Sequence, residues 1–318
     1  MNLYTPVAIP NSPISISYQH SLFFIGSCFS SEMHDRFLYH GYQTYSNPNG
    51  TVYNSSALLT QLHSFVNEQF DFERFFVEHD GQWCSLLHNT TFRNASRVEL
   101  LRQCESIKKV ASDKLASAEV IFITLGTANV YKHKATQIIV ANNQKLPAIN
   151  FESMRLTVED VLSDLREAVQ VIRQVNSQAQ LVVTVSPVRH KKDGFIQNQI
   201  SKSIIRLAVD QACESNDLFY FPSYEIVLDE LRDYRFYATD LVHINELGVN
   251  YIWEKLVSHL CVAEEEKIRH SISKFRKLEG HRVGDGEMRD LHKKRIEQKK
   301  QELQKTFDIL IPDYDHHL

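Results

Sequence analysis

Four short apolar runs, set between longer stretches of helical periodicity, are the feature that most constrains how this chain can fold. Runs of this length without polar alternation are typical of strands that are buried on both faces of a parallel sheet. Each run ends in residues that favour a turn. The four runs are residues 22–25, 120–125, 181–185 and 218–221.

Helical patterns lie between these runs. Residues 157–175 begin with Thr-Val-Glu-Asp, which is typical of a helix N-terminus. Phe29, Met33 and Phe37 recur at a spacing that places them on one buried stripe of a helix. The alternation predicts an α/β fold with a parallel sheet. Such sheets bind ligands at the carboxyl ends of their strands, so we expect Ser27 and the turns after the second and third runs to line one crevice.

The composition is that of a chain able to bury a sizeable core. It has 318 residues, of which 43% are hydrophobic and 23% charged, enough for one large domain or for a domain with an extension. The formal net charge of -4 gives no electrostatic reason to expect a nucleic acid as partner. No apolar stretch approaches the length needed to cross a bilayer, so we expect no membrane partner.

The five cysteines are scattered and contain no Cys-x-x-Cys pair, which argues against a disulfide framework and against a zinc knuckle. Reduced thiols and the absence of a basic, apolar leader predict a cytoplasmic protein. No His-Glu-x-x-His or similar ligand set occurs, and we therefore expect neither a metal nor another cofactor. Metal-assisted hydrolysis by some of the fifteen histidines is a weaker alternative.

The composition changes near residue 262, where charged segments interrupted by glycines begin. We therefore predict a main domain over residues 1–261 and a charged, mainly helical extension over residues 262–318. Acidic residues are interleaved with the lysines and arginines of the extension, which favours a solvated or partner-packing helix over a nucleic-acid patch.

Ser27 follows Gly26 where the first apolar run passes into the first predicted helix. A hydroxyl at such a strand-to-helix turn is well placed for a nucleophile, and its backbone N–H can face an anion. A glycine needed for backbone freedom and a serine that only caps the helix are the structural alternative. Cys28 offers a neighbouring thiol, but no basic residue adjoins it in the sequence to lower its pKa, so we predict Ser27 as the nucleophile.

Asp240 and His243 stand three residues apart, just before a predicted helix that Asn245 would cap. At this spacing a carboxylate can orient the imidazole that activates a serine. A lone histidine more often has a structural role, so the pair gains weight from its combination with Ser27. Together, Ser27, Asp240 and His243 predict a serine esterase.

The pentapeptide Gly-Ser-Cys-Phe-Ser at residues 26–30 resembles the signature that names the GSCFA family, with Ser30 in the place of its final alanine. The resemblance covers roughly residues 1–260, and the long block Asp-Glu-Leu-Arg-Asp-Tyr-Arg-Phe-Tyr is its most specific part. The other matching blocks are residues 47–51, Trp83 with His88, residues 124–128 and residues 186–190.

This family is similar to the SGNH or GDSL-type hydrolases. The resemblance implies a three-layer α/β/α sandwich with a mainly parallel central sheet of about five strands. It also implies that Ser27 attacks an ester carbonyl, that His243 transfers the proton and that Asp240 orients the imidazole.

The resemblance further implies an oxyanion hole formed by the N–H groups of Ser27 and Gly50 and by a third donor. Asn129 follows its strand slightly later than the family pattern expects, so Asn129, Thr127 and a backbone amide all stay candidates for that donor. Three further polar residues could line the cleft or hold structural hydrogen bonds: His88, Arg189 and His190.

The expected function is therefore hydrolysis or transfer of an acyl group, such as acetyl, carried as an ester by a carbohydrate or another small molecule. The choice of substrate depends on similarity to SGNH hydrolases. The alternative is a non-catalytic binding or scaffold protein that keeps this fold. The sequence carries no signal for the oligomeric state.

Overall fold

The four apolar runs form adjacent strands of one parallel sheet, and a fifth strand extends that sheet at its edge. The computed structural model describes residues 5–215, 217–281 and 287–315. Its strands are β1 (Ser21–Gly26), β2 (Gln43–Ser46), β3 (Phe76–His79), β4 (Gln82–Ser85), β5 (Arg93–Asn94), β6 (Val120–Leu125), β7 (Asn129–His133), β8 (Phe151–Arg155), β9 (Gln180–Val185) and β10 (Phe219–Tyr220).

The order of the strands in the central sheet is β10-β9-β6-β1-β2. The chain leaves β1 toward β2 on one side and later returns to place β6 on the other side. The strand order therefore reverses between β1 and β6. In open α/β sheets this reversal opens a crevice at the carboxyl ends of the two strands, where ligands bind.

Helices cover both faces of the sheet. They are α1 (Cys28–Tyr39), α2 (Ser55–Val66), α3 (Arg97–Ser117), α4 (Val158–Val175), α5 (Phe195–Cys213), α6 (Ser223–Glu225), α7 (Glu246–Leu260), α8 (Glu266–Glu279) and α9 (Glu287–Phe307). Alternate strand residues serve two separate cores: Phe23 and Ile25 pack with α2, α4 and α5, whereas Leu22 and Phe24 pack with α1, α7 and α8. The predicted three-layer α/β/α sandwich is confirmed.

The predicted helices form for the reasons that their sequences indicate. Thr157 and Asp160 make a reciprocal capping box at the start of α4. The side chain of Asn245 accepts a hydrogen bond from the Gly248 N–H and so caps α7. The stripe of Phe29, Met33 and Phe37 is buried on α1.

The sequence does not predict β2 or the two small antiparallel sheets, β3-β4-β5 and β7-β8. The residues of β2 are only half-buried and include Gln43 and Ser46, so this strand lacks the continuous apolar run of its neighbours. Polar residues are tolerated in β2 because it is an edge strand. One of its sides has no neighbouring strand in the sheet, and its side chains are only half-buried.

The C-terminal extension packs on the α1 and α7 side of the sheet. Its residues Ile272, Phe275, Leu303 and Ile311 are buried in the same core as α1 and α7. Arg276 is also buried, and its guanidinium donates to Tyr39 O at 3.2 Å and to Pro312 O at 2.6 Å. The boundary after residue 261 stays a prediction. Within the described residues, none of the helices combines the length and apolar character that crossing a membrane requires.

Replacing Ile272 with alanine tests how far the extension stabilises the main domain. Ile272 is fully buried, so Ile272→Ala should lower the free energy of unfolding by about 2–5 kcal/mol. Urea denaturation followed by circular dichroism measures this change. Leu291→Ala on α9 is the control, because Leu291 is 73% exposed and its loss should have little effect. Equal stability of both variants would mean that the Ile272 side chain does not stabilise the protein through this core.

Candidate active site

The turn after β1 brings that strand unusually close to β6. Gly26 has a φ of +142°, and a Cβ at this position would lie 2.2 Å from Thr124 O, so only glycine fits. The Asn47 side chain holds the turn from the other side: its Oδ1 accepts from the Gly26 N–H at 2.8 Å, and its Nδ2 donates to Ser31 Oγ at 2.9 Å. The turn is therefore fixed to both β6 and α1.

Ser27 is buried within this turn. It is only 1% exposed, and it precedes α1 without making a side-chain capping bond. Its N–H donates to Thr124 O at 3.1 Å, and its Oγ has no hydrogen-bond partner within the described residues. The predicted nucleophile thus lies below the surface of the sheet edge. Its catalytic role stays a prediction.

Asp240 and His243 interact directly, on an exposed turn that precedes α7. Asp240 Oδ2 lies 2.6 Å from His243 Nδ1, and Oδ1 accepts from the backbone N–H groups of Val242 at 2.8 Å and of His243 at 3.0 Å. The bond to the His243 side chain, followed by these two backbone bonds, lowers the pKa of Asp240 to about 2. The ionised carboxylate fixes the proton on Nδ1, which leaves Nε2 free to accept a proton.

Arg189 contacts the turn that carries Asp240 and His243. Its guanidinium lies 4.3 Å from the centroid of the Tyr237 ring and 5.5 Å from that of Tyr234. Arg189 also donates a side-chain hydrogen bond to Leu241 O, and its backbone N–H donates to Val242 O at 3.4 Å. The two tyrosines belong to the long sequence block that resembles the GSCFA family. That block therefore supplies the two rings on which the Arg189 guanidinium packs.

A cavity of about 550 Å³ opens at the carboxyl edge of the sheet and brings several predicted residues together. Asp240 and His243 line it, and so does Cys28, which occupies the first position of α1. Ser27 and Gly50 are buried and lie outside this lining. The other polar side chains in the lining include Asn54, Thr127, Asn129, Asn142, Asn143, Arg189, His190, Lys191 and Asp193.

Each predicted oxyanion donor already has an acceptor within the protein. The Ser27 N–H donates to Thr124 O, and the Gly50 N–H donates to Asn47 O at 2.7 Å. Asn129 Nδ2 donates to Asp193 Oδ2 at 2.8 Å, while Asn129 Oδ1 accepts from Arg155 Nε at 3.1 Å. Since an amide nitrogen carries two hydrogens, Asn129 keeps one further donor, and it is the member of this set that lines the cavity.

Lys202 is a component of the site that sequence reasoning missed. It is 1% exposed, and its Nζ donates to Gly126 O and to Ser186 O, each at 2.6 Å. The ammonium group thus joins the chain segments that follow β6 and β9. Burial lowers its pKa to about 7. Its spacing from the buried Ile205 and Val209 on α5 is a signal that could have identified it.

The two histidines considered as cleft residues differ in position. His190 lines the cavity, and its pKa is lowered to about 4, first by burial and then by the charge of Lys202. His88 is fully buried, and its Nδ1 lies 2.7 Å from Oγ of Ser85, the last residue of β4. Burial lowers the pKa of His88 to about 3, which keeps this ring neutral.

Comparison with models of protein families places this chain in a known family. The model of the GSCFA family matches residues 21–256, a range that includes the central sheet, the cavity residues and most of α7. A comparison with curated proteins gives no significant match. Within the described part of the chain, His, Cys, Asp and Glu side chains form no group of three or more that could hold a metal ion.

The pH dependence of stability tests the burial of Lys202. The pKa of this group is about 7 in the folded protein and about 10.4 in an unfolded chain, so the unfolded chain binds the extra proton between these values. Stability should therefore rise with pH by up to about 1.4 kcal/mol per unit in this range. We expect the unfolding free energy of the native protein to rise relative to that of Lys202→Met between pH 7 and 9, as measured by urea denaturation. A constant difference would contradict the lowered pKa.

Proposed function

The chain belongs to the GSCFA family, and on this premise we propose that it is an acyl-transfer enzyme, a hydrolase that cleaves ester bonds. The observation that carries the proposal is the 2.6 Å contact between Asp240 Oδ2 and His243 Nδ1. This pair shares its cavity with the start of α1, where a nucleophile is available. Acyl transfer uses an imidazole oriented by a carboxylate to activate a nucleophile in the same site.

In this mechanism His243 Nε2 takes a proton from the nucleophile as the nucleophile attacks the ester carbonyl. The same nitrogen then returns the proton to the departing alcohol. Asp240 remains ionised and stabilises the imidazolium that forms between these steps. Ser27 is the nucleophile predicted from the sequence. For Ser27 to attack the ester, its buried hydroxyl must gain access to the cavity. The roles of His243 and Asp240 do not depend on which side chain of the turn attacks.

The oxyanion of the tetrahedral intermediate needs donors that face the cavity. Asn129 lines the cavity, and the second hydrogen of its Nδ2 group is available to donate to the oxyanion. Ser27 and Gly50 would contribute only by releasing Thr124 O and Asn47 O, their present acceptors. We propose Asn129 as the side-chain donor.

The cavity supports a small substrate. A volume of about 550 Å³ falls in the range typical of small-molecule sites. Amide and charged side chains in its lining, such as Asn142, Asn143 and Lys191, can bind hydroxyl groups. We therefore propose a short acyl ester of a carbohydrate or a related polyol as the substrate class.

A binding protein without catalysis is the second candidate. The buried hydroxyl of Ser27 and the internal acceptors of the three oxyanion donors favour it. Such a protein would bind a polyol in the cavity and leave its ester bond intact.

Substitution of the Asp–His pair tests the proposed activity. His243→Ala and Asp240→Asn should each lower kcat/KM for p-nitrophenyl acetate by roughly 10²- to 10⁴-fold, because the nucleophile loses its oriented base. His259→Ala is the matched control, since His259 is an exposed histidine on α7 outside the cavity. Equal rates for the native protein and all three variants would mean that the Asp–His pair has no catalytic role. That result, or the absence of hydrolysis by the native protein itself, would favour the binding alternative.

The acceptor of the acyl group can be tested separately. The His243 side chain is 54% exposed, so water reaches the base, and we expect free acetate to be the main product even when glycerol is present. Chromatography of the products measures the ratio of acetate to acetylglycerol. Acetylglycerol as the main product would identify the protein as an acyltransferase.

A further inference from the structure

We infer that Cys28, and not Ser27, is the nucleophile of this cavity. The inference rests on the proposed acyl-transfer function and specifies which atom carries the acyl group. Two neighbouring side chains could attack, and the structure separates them by position: Cys28 lines the cavity together with His243 and Asp240, whereas Ser27 lies outside the lining.

The position of Ser27 is fixed by the turn around it. Its N–H is bonded to Thr124 O, and the flanking Gly26 is held by Asn47 Oδ1 on its N–H and by the Val52 N–H on its carbonyl at 2.9 Å. The close approach of Gly26 to Thr124 leaves no room to shift the turn toward β6. Ser27 Oγ is therefore held in the interior at 1% exposure.

Cys28 occupies the first position of α1 and is partly exposed. Burial raises the pKa of its thiol, while a hydrogen bond from the Phe29 amide and the charge of Lys202 partly oppose this effect. The thiol is therefore protonated at neutral pH and needs a base in order to attack. The Asp240–His243 pair in the same cavity supplies that base.

The reaction balances with the ester and water alone. Cys28 Sγ attacks the carbonyl carbon while its proton moves to His243 Nε2, and the S–C bond forms. The C–O bond to the alcohol then breaks, and the alcohol leaves with the proton from His243. Water, deprotonated by His243, next attacks the thioester, releases the carboxylic acid and returns the proton to the Cys28 thiol.

Trapping the acyl group identifies the attacking atom. The native protein is mixed with p-nitrophenyl acetate, quenched in acid and digested, and the acetylated residue is located by tandem mass spectrometry. We expect acetyl on Cys28 and its removal by neutral hydroxylamine, which cleaves thioesters much faster than ordinary esters. Acetyl on Ser27, resistant to hydroxylamine, would overturn the inference. Cys28→Ser should give a hydroxylamine-resistant adduct at residue 28, which controls for the chemistry of the adduct.

Alkylation by iodoacetamide tests the same thiol without requiring esterase activity. His243→Ala should slow alkylation of Cys28 by roughly tenfold or more, because the thiol loses its base. Cys213, a partly exposed thiol at the end of α5, is the matched control and should react at an unchanged rate. If no acetyl adduct forms but alkylation depends on His243, the esterase proposal fails and the thiol–imidazole pair stands. Alkylation of Cys28 that is independent of His243 overturns the pair.

Discussion

The close contact between the end of β1 and β6 is the constraint on which the site depends. A side chain at position 26 would collide with Thr124 O, and the Ser27 N–H bonds to that same oxygen. This contact fixes where α1 begins and hence which side chain of the turn meets solvent. Because β1 and β6 flank the reversal of strand order, the turn stands at the point where an open α/β sheet forms its crevice.

Two basic side chains, Lys202 and Arg189, hold the remaining parts of the crevice in place. Lys202 joins the segments after β6 and β9 through two carbonyl groups, and its burial is compensated by these bonds and by a lowered pKa. Arg189 stacks on Tyr237 and donates to Leu241 O, which supports the turn that carries Asp240 and His243. In both cases a basic side chain donates hydrogen bonds to backbone carbonyls of segments outside the regular elements.

Much of the fold could be predicted because its elements have strong local signals. The apolar runs of β1, β6 and β9 and the capping residues of α4 and α7 all act over a few residues. The edge strand β2 could not be predicted, since its half-buried, polar residues form a strand only by pairing with β1. The burial of α8 is likewise a tertiary effect: its charged sequence gives little sign that Arg276 is enclosed between α1 and the C-terminal segment.

Local patterns along the chain are enough to predict the α/β class, the turn at residues 26–28 and the pairing of Asp240 with His243. These follow from periodicity and from spacings of three or four residues. Which side chains meet in the cavity, in contrast, follows from how distant segments pack in three dimensions. Adjacent residues at a turn point in different directions, and the packing of β1 against β6 buries Ser27 while Cys28 faces the cavity. The exposure of a side chain depends on its contacts with segments that are distant in the sequence. Local sequence patterns do not reveal these contacts.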